Sequence, residues 1–202
     1  MEFYQCLQIL QNHYLEIIGT LTGLIYVFYS IEQKRILWFY GGVSSLFYIA
    51  VFYQAGLFAY MTLYFYYVGI SFVGWYSWAP TPEGSALNTS GITRLKARSW
   101  LIVWVVSLLL FLILWGILKY LVKVEIPWAD ALLTSGSVVA TWLLMRKVID
   151  HWLLWIVIDI LSGAVSLYKE LPFAAILFFI YTLLAIKGYL EWKKNLTIPI
   201  HP

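Results

Sequence analysis

The decapeptide HWLLWIVIDI, residues 151–160, concentrates the chemistry of this chain. On a helix, Trp152, Trp155 and Asp159 fall at i, i+3 and i+7 and share one face, two aromatic planes with a carboxylate beyond them. Aromatic faces beside a carboxylate suit a flat organic cation. Asp159 stands roughly halfway along an apolar run, where a charged carboxylate facing lipid costs several kcal/mol. It must turn inward, toward a ligand, toward a Ser, Thr or Tyr hydroxyl of a neighbouring helix, or toward Lys187 as an ion pair. Trp152 has a second reading as part of the aromatic belt at a membrane interface. Trp155 lies deeper.

A second aromatic group precedes it. In residues 57–79, Tyr60, Tyr64 and Tyr67 recur at i, i+4 and i+7 and form a hydroxylated stripe suited to a cavity wall. Residues 14–78 and 128–192 align without a gap at an offset of 114, pairing Trp38 with Trp152, Tyr67 with Tyr181, Gly74 with Gly188 and Trp78 with Trp192. The first copy places Trp38, Gly41 and Ser45 where the second has Trp152, Trp155 and Asp159. Substrate-contacting candidates are therefore Trp152, Trp155 and Asp159, with Trp38, Ser45, Tyr60, Tyr64, Tyr67 and Tyr181. Repeats around a midplane site are a recurrent construction of transporters. The expected cavity lies between the two copies.

The elements holding these residues must be membrane helices. With 62% hydrophobic and 11% charged residues, the chain is far from the soluble mix of roughly half apolar and a quarter charged. Lipid is its principal neighbour, and a net charge of +3 spread over loops describes no nucleic-acid surface. A lone Cys6 forms no intrachain disulfide. Glu2 stands where a signal peptide carries Lys or Arg, so no cleaved signal is expected. Apolar stretches predict seven transmembrane helices, at 14–31, 35–54, 57–79, 99–122, 129–146, 152–168 and 172–192. Continuous apolar runs exclude a barrel, whose strands alternate. The predicted fold is an all-α polytopic membrane protein, one domain over 1–202, with a helix triplet at 14–79, a linker helix at 99–122 and a second triplet at 128–192. The linker lets both triplets share one orientation, giving a parallel 3+1+3 arrangement.

Basic residues set the expected orientation. Lys34, Arg35, Arg94, Lys96, Arg98, Arg146, Lys147, Lys193 and Lys194 gather on one side, against Lys119, Lys123 and Lys169 on the other. The C-terminus is predicted to be cytoplasmic and the N-terminus outside. The PTPEGSALNTSGITRLKA stretch then forms a cytoplasmic loop, and its sequon Asn88-Thr89-Ser90 is fortuitous. Enzyme chemistry lacks a framework: His13, His151 and His201 are far apart, and no metal-binding, nucleophile-elbow or phosphate-loop pattern occurs. No cofactor and no metal are expected. A structural or signalling membrane protein is the remaining non-transport reading, and it would not require Asp159 beside two Trp residues.

The segments GGVSSLFYIAVFYQAGLFAYMTLYFYYVGISFVGWYSW and WLLWIVIDILSGAVSLYKELPFAAILFFIYTLLAIKGYLEWKK resemble the PnuC family of bacterial vitamin transporters, most specifically in W-x-x-W and the closing G-Y-x-x-W. The resemblance covers all seven helices. It implies a 3+1+3 core similar to the SWEET sugar transporters, located in the bacterial inner membrane, that carries an unphosphorylated vitamin by facilitated diffusion. A cytoplasmic kinase then traps the product, and trimers are implied as well. Substrates in the family are nicotinamide riboside, thiamine (the PnuT-like branch) or riboflavin. Nicotinamide riboside carriers often place an acid and a Gln in helix three, in L-Y-A-D-x-x-L-Q, where this chain has Tyr60 and Tyr64. A site that reads a ribose and a carboxamide needs buried polar partners. That departure makes thiamine the expected substrate, with nicotinamide riboside as the alternative.

Overall fold

The computed structural model describes residues 2–54, 56, 58–79 and 91–196. The sequon at 88–90 and most of the long loop lie outside them. The described chain is all-α, with seven helices: α1 Glu2–Ile31, α2 Leu37–Gln54, α3 Phe58–Ser77, α4 Ala97–Ile117, α5 Pro127–Met145, α6 His151–Tyr168 and α7 Pro172–Lys194. Two boundaries differ from expectation. Helix α1 begins at Glu2 rather than near 14, because the polar Gln11-Asn12-His13 contains neither Pro nor Gly and does not break it. After α4 the chain winds into a π turn, Leu118–Val122, that closes at Lys123 in left-handed backbone, φ 59°. Pro127 and Pro172 open α5 and α7, where a missing N–H leaves nothing unpaired.

Residues 14–31, 97–122, 127–145, 151–168 and 174–194 are long and apolar enough to cross a membrane. The other two helices, α2 and α3, are those whose apolar runs are diluted by Tyr, Ser and Gly. Helix α4 exposes Leu101, Ile102, Trp104, Leu108, Leu109, Leu112 and Ile113. A surface that apolar needs hydrocarbon around it.

Two compact units divide the chain, Met1–Ala79 and Pro80–Pro202. In the first, α2 packs against both α1 and α3. In the second, α6 packs against α5 and α7, and α4 lies on α5. A core of Val103, Val139, Leu143 and Val148 joins α4, α5 and the turn into α6. The turns of the two units share their backbone form. Left-handed residues fall at Gln33 and Lys147, and again at Gly56 and Glu170, each pair 114 residues apart. Hydrogen bonds follow the same spacing: the Lys34 N–H donates to the Tyr29 carbonyl as Val148 donates to Leu143, and Leu37 to Lys34 as His151 to Val148.

Candidate functional site

Helix α6 carries the centre of the candidate site. Asp159 is 6% exposed. It makes no ion pair and no hydrogen bond with any described residue, and Lys187 of α7 is exposed. The internal partners that sequence allowed are therefore not used. Ser162 and Ser166, each 7% exposed, follow at i+3 and i+7 on the same face. Sequence reasoning passed over both. Their spacing from Asp159 in an apolar helix was the available signal. Trp155, one turn before Asp159, is half-buried and its ring stacks on no other described ring.

Trp152 has a different position. It is 3% exposed and lies flat on Gly188 of α7, where an added Cβ would come within 2.5 Å of Cζ2. Trp192 meets it edge-on at 5.9 Å, and the His151 ring stands 4.5 Å from it. In the first unit Trp38 lies on Gly74 in the same way and meets Trp78 edge-on at 5.7 Å. These two tryptophans are packed as wedges between helices and offer a ligand little surface. Ser45 is also buried, and its hydroxyl donates to the Gly41 carbonyl at 2.7 Å.

The tyrosine stripe of α3 is continuous with rings from α2. Tyr64 sits 5.0 Å from Tyr48, 5.3 Å from Phe52 and 5.5 Å from Tyr67, while Tyr60 stacks on Phe52 at 5.7 Å. Tyr48 is anchored to α1 by a 2.8 Å hydrogen bond with Thr20. Tyr48 and Phe52 were missed from sequence because α2 gives its rings no single helical face. Tyr181 of α7 is half-buried near Phe178, at 6.5 Å. The structure thus joins Tyr60, Tyr64 and Tyr67 in the first unit and keeps Trp155 and Asp159 on α6 in the second.

The ends of the second unit are tied by charge. Lys169, after α6, lies 3.8 Å from Asp130 at the start of α5. Residues 92–95 run beside the α5–α6 turn: the Ile149 N–H donates to the Thr93 carbonyl, and Asp150 accepts the Leu95 N–H at 2.7 Å. Asp150 is 1% exposed, and Arg94 approaches it at 3.5 Å with an exposed side chain. In the same turn burial pushes the Lys147 ammonium down from its ordinary value. Asp150→Ala is expected to cost about 1 to 3 kcal/mol, because it strands a largely shielded N–H. Arg94→Ala is expected to cost less than about 1 kcal/mol, since an exposed pair contributes little. Thermal melts of the two variants check that order.

A polytopic helical membrane protein, with unpartnered polar groups on one inward helix face and aromatic rings in array, is the class these features define. Over residues 13–194 the chain matches the family model described as nicotinamide mononucleotide transporter. It is 25% identical over 205 residues to the nicotinamide riboside transporter PnuC of Escherichia coli (strain K12), covering 90% of this chain and 86% of that one. The PnuC of Neisseria mucosa is 27% identical over 197 residues, covering 91% and 73%. A solved structure of the vitamin B3 transporter PnuC aligns with a TM-score of 0.72 at 26% identity, covering 92% of this chain and 83% of that one. The chain belongs to the PnuC family of multi-pass membrane transporters.

Proposed function

We propose that this protein takes up an unphosphorylated, cationic, aromatic vitamin across the bacterial inner membrane, with nicotinamide riboside as the favoured substrate. The observation that carries the reading is Asp159, a buried carboxylate halfway along α6 without a partner among the described residues. A pyridinium ring supplies what it lacks, a delocalised positive charge that also stacks on Trp155. A mononucleotide adds a phosphate, and like charges near a desolvated carboxylate repel. The charge at α6 therefore favours the riboside. The names of the curated relatives support the same substrate.

Thiamine is the second reading, favoured by Tyr60 and Tyr64. They belong to a ring array with Tyr48 and Phe52 and offer aromatic faces where a ribose reader would carry an acid and a Gln. Ser45, Tyr67 and Tyr181 complete the proposed contacts, and Trp38 and Trp152 act in this reading as supports. Titrating the purified protein with nicotinamide riboside, thiamine and riboflavin, read by Trp fluorescence, tests it. Nicotinamide riboside should bind most tightly. Failure of all three to bind, with no uptake into proteoliposomes, would favour a structural or signalling role.

The proposed architecture is two parallel triplets, α1–α3 and α5–α7, joined by α4, as in SWEET-like folds. Matching left-handed turns and matching Trp–Gly wedges support it. Transport in this reading is facilitated diffusion, trapped by a cytoplasmic vitamin kinase, in a trimer surrounded by lipid. The proposed orientation has the N-terminus outside and the C-terminus in the cytoplasm, and the distribution of Lys and Arg supports it. In a Cys6→Ser background, a cysteine placed at Ser85 should label only from the cytoplasm and one at Gln11 only from outside. The reverse pattern overturns the orientation.

A further inference from the structure

Positive charge collects at one end of the second unit, and the main chain holds it there. Residues 92–95 form a strap between two other segments: Ile92 bridges to Leu196 after α7, Thr93 bridges to Val148 in the α5–α6 turn, and the Thr93 N–H donates to the Lys147 carbonyl at 3.1 Å. Arg94 and Lys96 are thereby brought to the turn that carries Arg146 and Lys147 and to the end of α7 with Lys193 and Lys194. Arg98 follows in the first turn of α4. The same segments carry two carboxylates, both engaged. Asp150 is buried on the Leu95 N–H with Arg94 at 3.5 Å, and Glu191 accepts from Lys194 at 2.8 Å. Lys96, Arg98, Arg146 and Lys193 are exposed, and none pairs with a carboxylate among the described residues.

We infer that this end of the second unit is a docking surface for anionic phospholipid headgroups, whose phosphates take Arg98 and Arg146 as forked donors and Lys96 and Lys193 as point charges. The inference goes beyond the transport reading and holds whichever vitamin is carried. Membrane orientation asks only that Lys and Arg lie in the loops of one side, and it asks for no bonds that draw those loops together. Like charges gathered by backbone repel one another, and an anion among them removes that cost. The surroundings favour a lipid over a free phosphate. Arg146 stacks over Trp142, 5.1 Å from the ring centre, and the Trp142 ring is itself exposed. Leu101 and Trp104 are exposed on α4, one and two turns beyond Arg98. Exposed Trp near the end of a membrane helix lies at headgroup level, which puts the guanidinium at the depth of the phosphates and the apolar side chains against the acyl chains. A bound headgroup also steadies the strap, because it neutralises all three segments at once.

The test is thermal stability against lipid charge. The purified full chain is melted in micelles of a neutral detergent mixed with phosphatidylcholine or phosphatidylglycerol, and unfolding is followed by Trp fluorescence. The melting temperature should climb by several degrees as phosphatidylglycerol replaces phosphatidylcholine, as a ligand of the folded state requires, and the climb should shrink at high salt. The triple variant Arg98→Gln, Arg146→Gln, Lys193→Gln should melt alike in both lipids. A control that neutralises Lys34, Lys119 and Lys123 to Gln removes as many charges elsewhere and should keep the climb. Should the triple variant not fold, each of its single changes should lower the climb by a share. Inorganic phosphate in lipid-free micelles should give no comparable shift. Equal melting in both lipids overturns the surface, and so does a control that loses the climb as fully as the triple variant, since the effect is then one of net charge. Stabilisation by phosphate alone that cancels the response to phosphatidylglycerol assigns the site to a free phosphate and overturns the lipid.

Discussion

Asp159→Asn is expected to weaken nicotinamide riboside binding by about 1 to 3 kcal/mol, roughly five-fold to more than a hundred-fold. The substitution keeps size and hydrogen-bonding capacity and removes only the charge. Stability should move the other way. Asp159 braces nothing, since it pairs with no described residue, so neutralising it relieves an uncompensated buried charge and should hold or raise the melting temperature. A bracing role makes the opposite forecast, a lower melting temperature with affinity unchanged. Both quantities measured on one purified variant separate the two. Trp155→Ala should lose a comparable amount of affinity through stacking, about 1 to 3 kcal/mol.

Gly188→Ala is expected to be the most damaging single methyl in the second unit. The added Cβ would lie 2.5 Å from Cζ2, 2.6 Å from Cη2 and 2.7 Å from Cε2 of Trp152, distances no pair of carbons tolerates. The ring cannot swing aside, because Trp192 and His151 close on it from two sides. Overpacking of this kind costs typically 1 to 3 kcal/mol, and separation of α6 from α7 would add to that. Trimming the ring should restore part of the loss. In a double-mutant cycle, Gly188→Ala with Trp152→Leu should be less destabilised than the sum of the single changes, by about 0.5 to 3 kcal/mol. An unchanged melting temperature for Gly188→Ala would show that the helices part freely at this point. Gly74→Ala against Trp38 should repeat the result in the first unit.

Helix number and type were legible in the sequence, because apolar runs of membrane length admit few other structures. The start of α1 was not. Gln11-Asn12-His13 looks like an end by polarity, and only the absence of a breaker says that backbone hydrogen bonding continues through it. The tryptophans show a second limit. Spacing on α6 placed Trp152 and Trp155 on one face with Asp159, but the fate of Trp152 was decided by Gly188, more than thirty residues away on a helix that sequence could not orient. A glycine in an apolar run gives no sign of which ring will fill it. Ser162 and Ser166 were hidden for the opposite reason. Serine is common in apolar helices, and only the buried position of these two beside Asp159 sets them apart.

The left-handed turns carry a consequence for engineering. Of the four residues that hold this backbone at matching places, only Gly56 is glycine. Gln33, Lys147 and Glu170 adopt it with side chains attached. For an L-residue that conformation is uphill by roughly 1 to 2 kcal/mol. Each turn is thus imposed by the helices it connects, as a hairpin is bent by the fingers that close it, and is not chosen by its own residue. Three positions therefore hold unspent stability, and glycine at any of them is a route to a hardier protein that leaves the substrate-facing helices untouched.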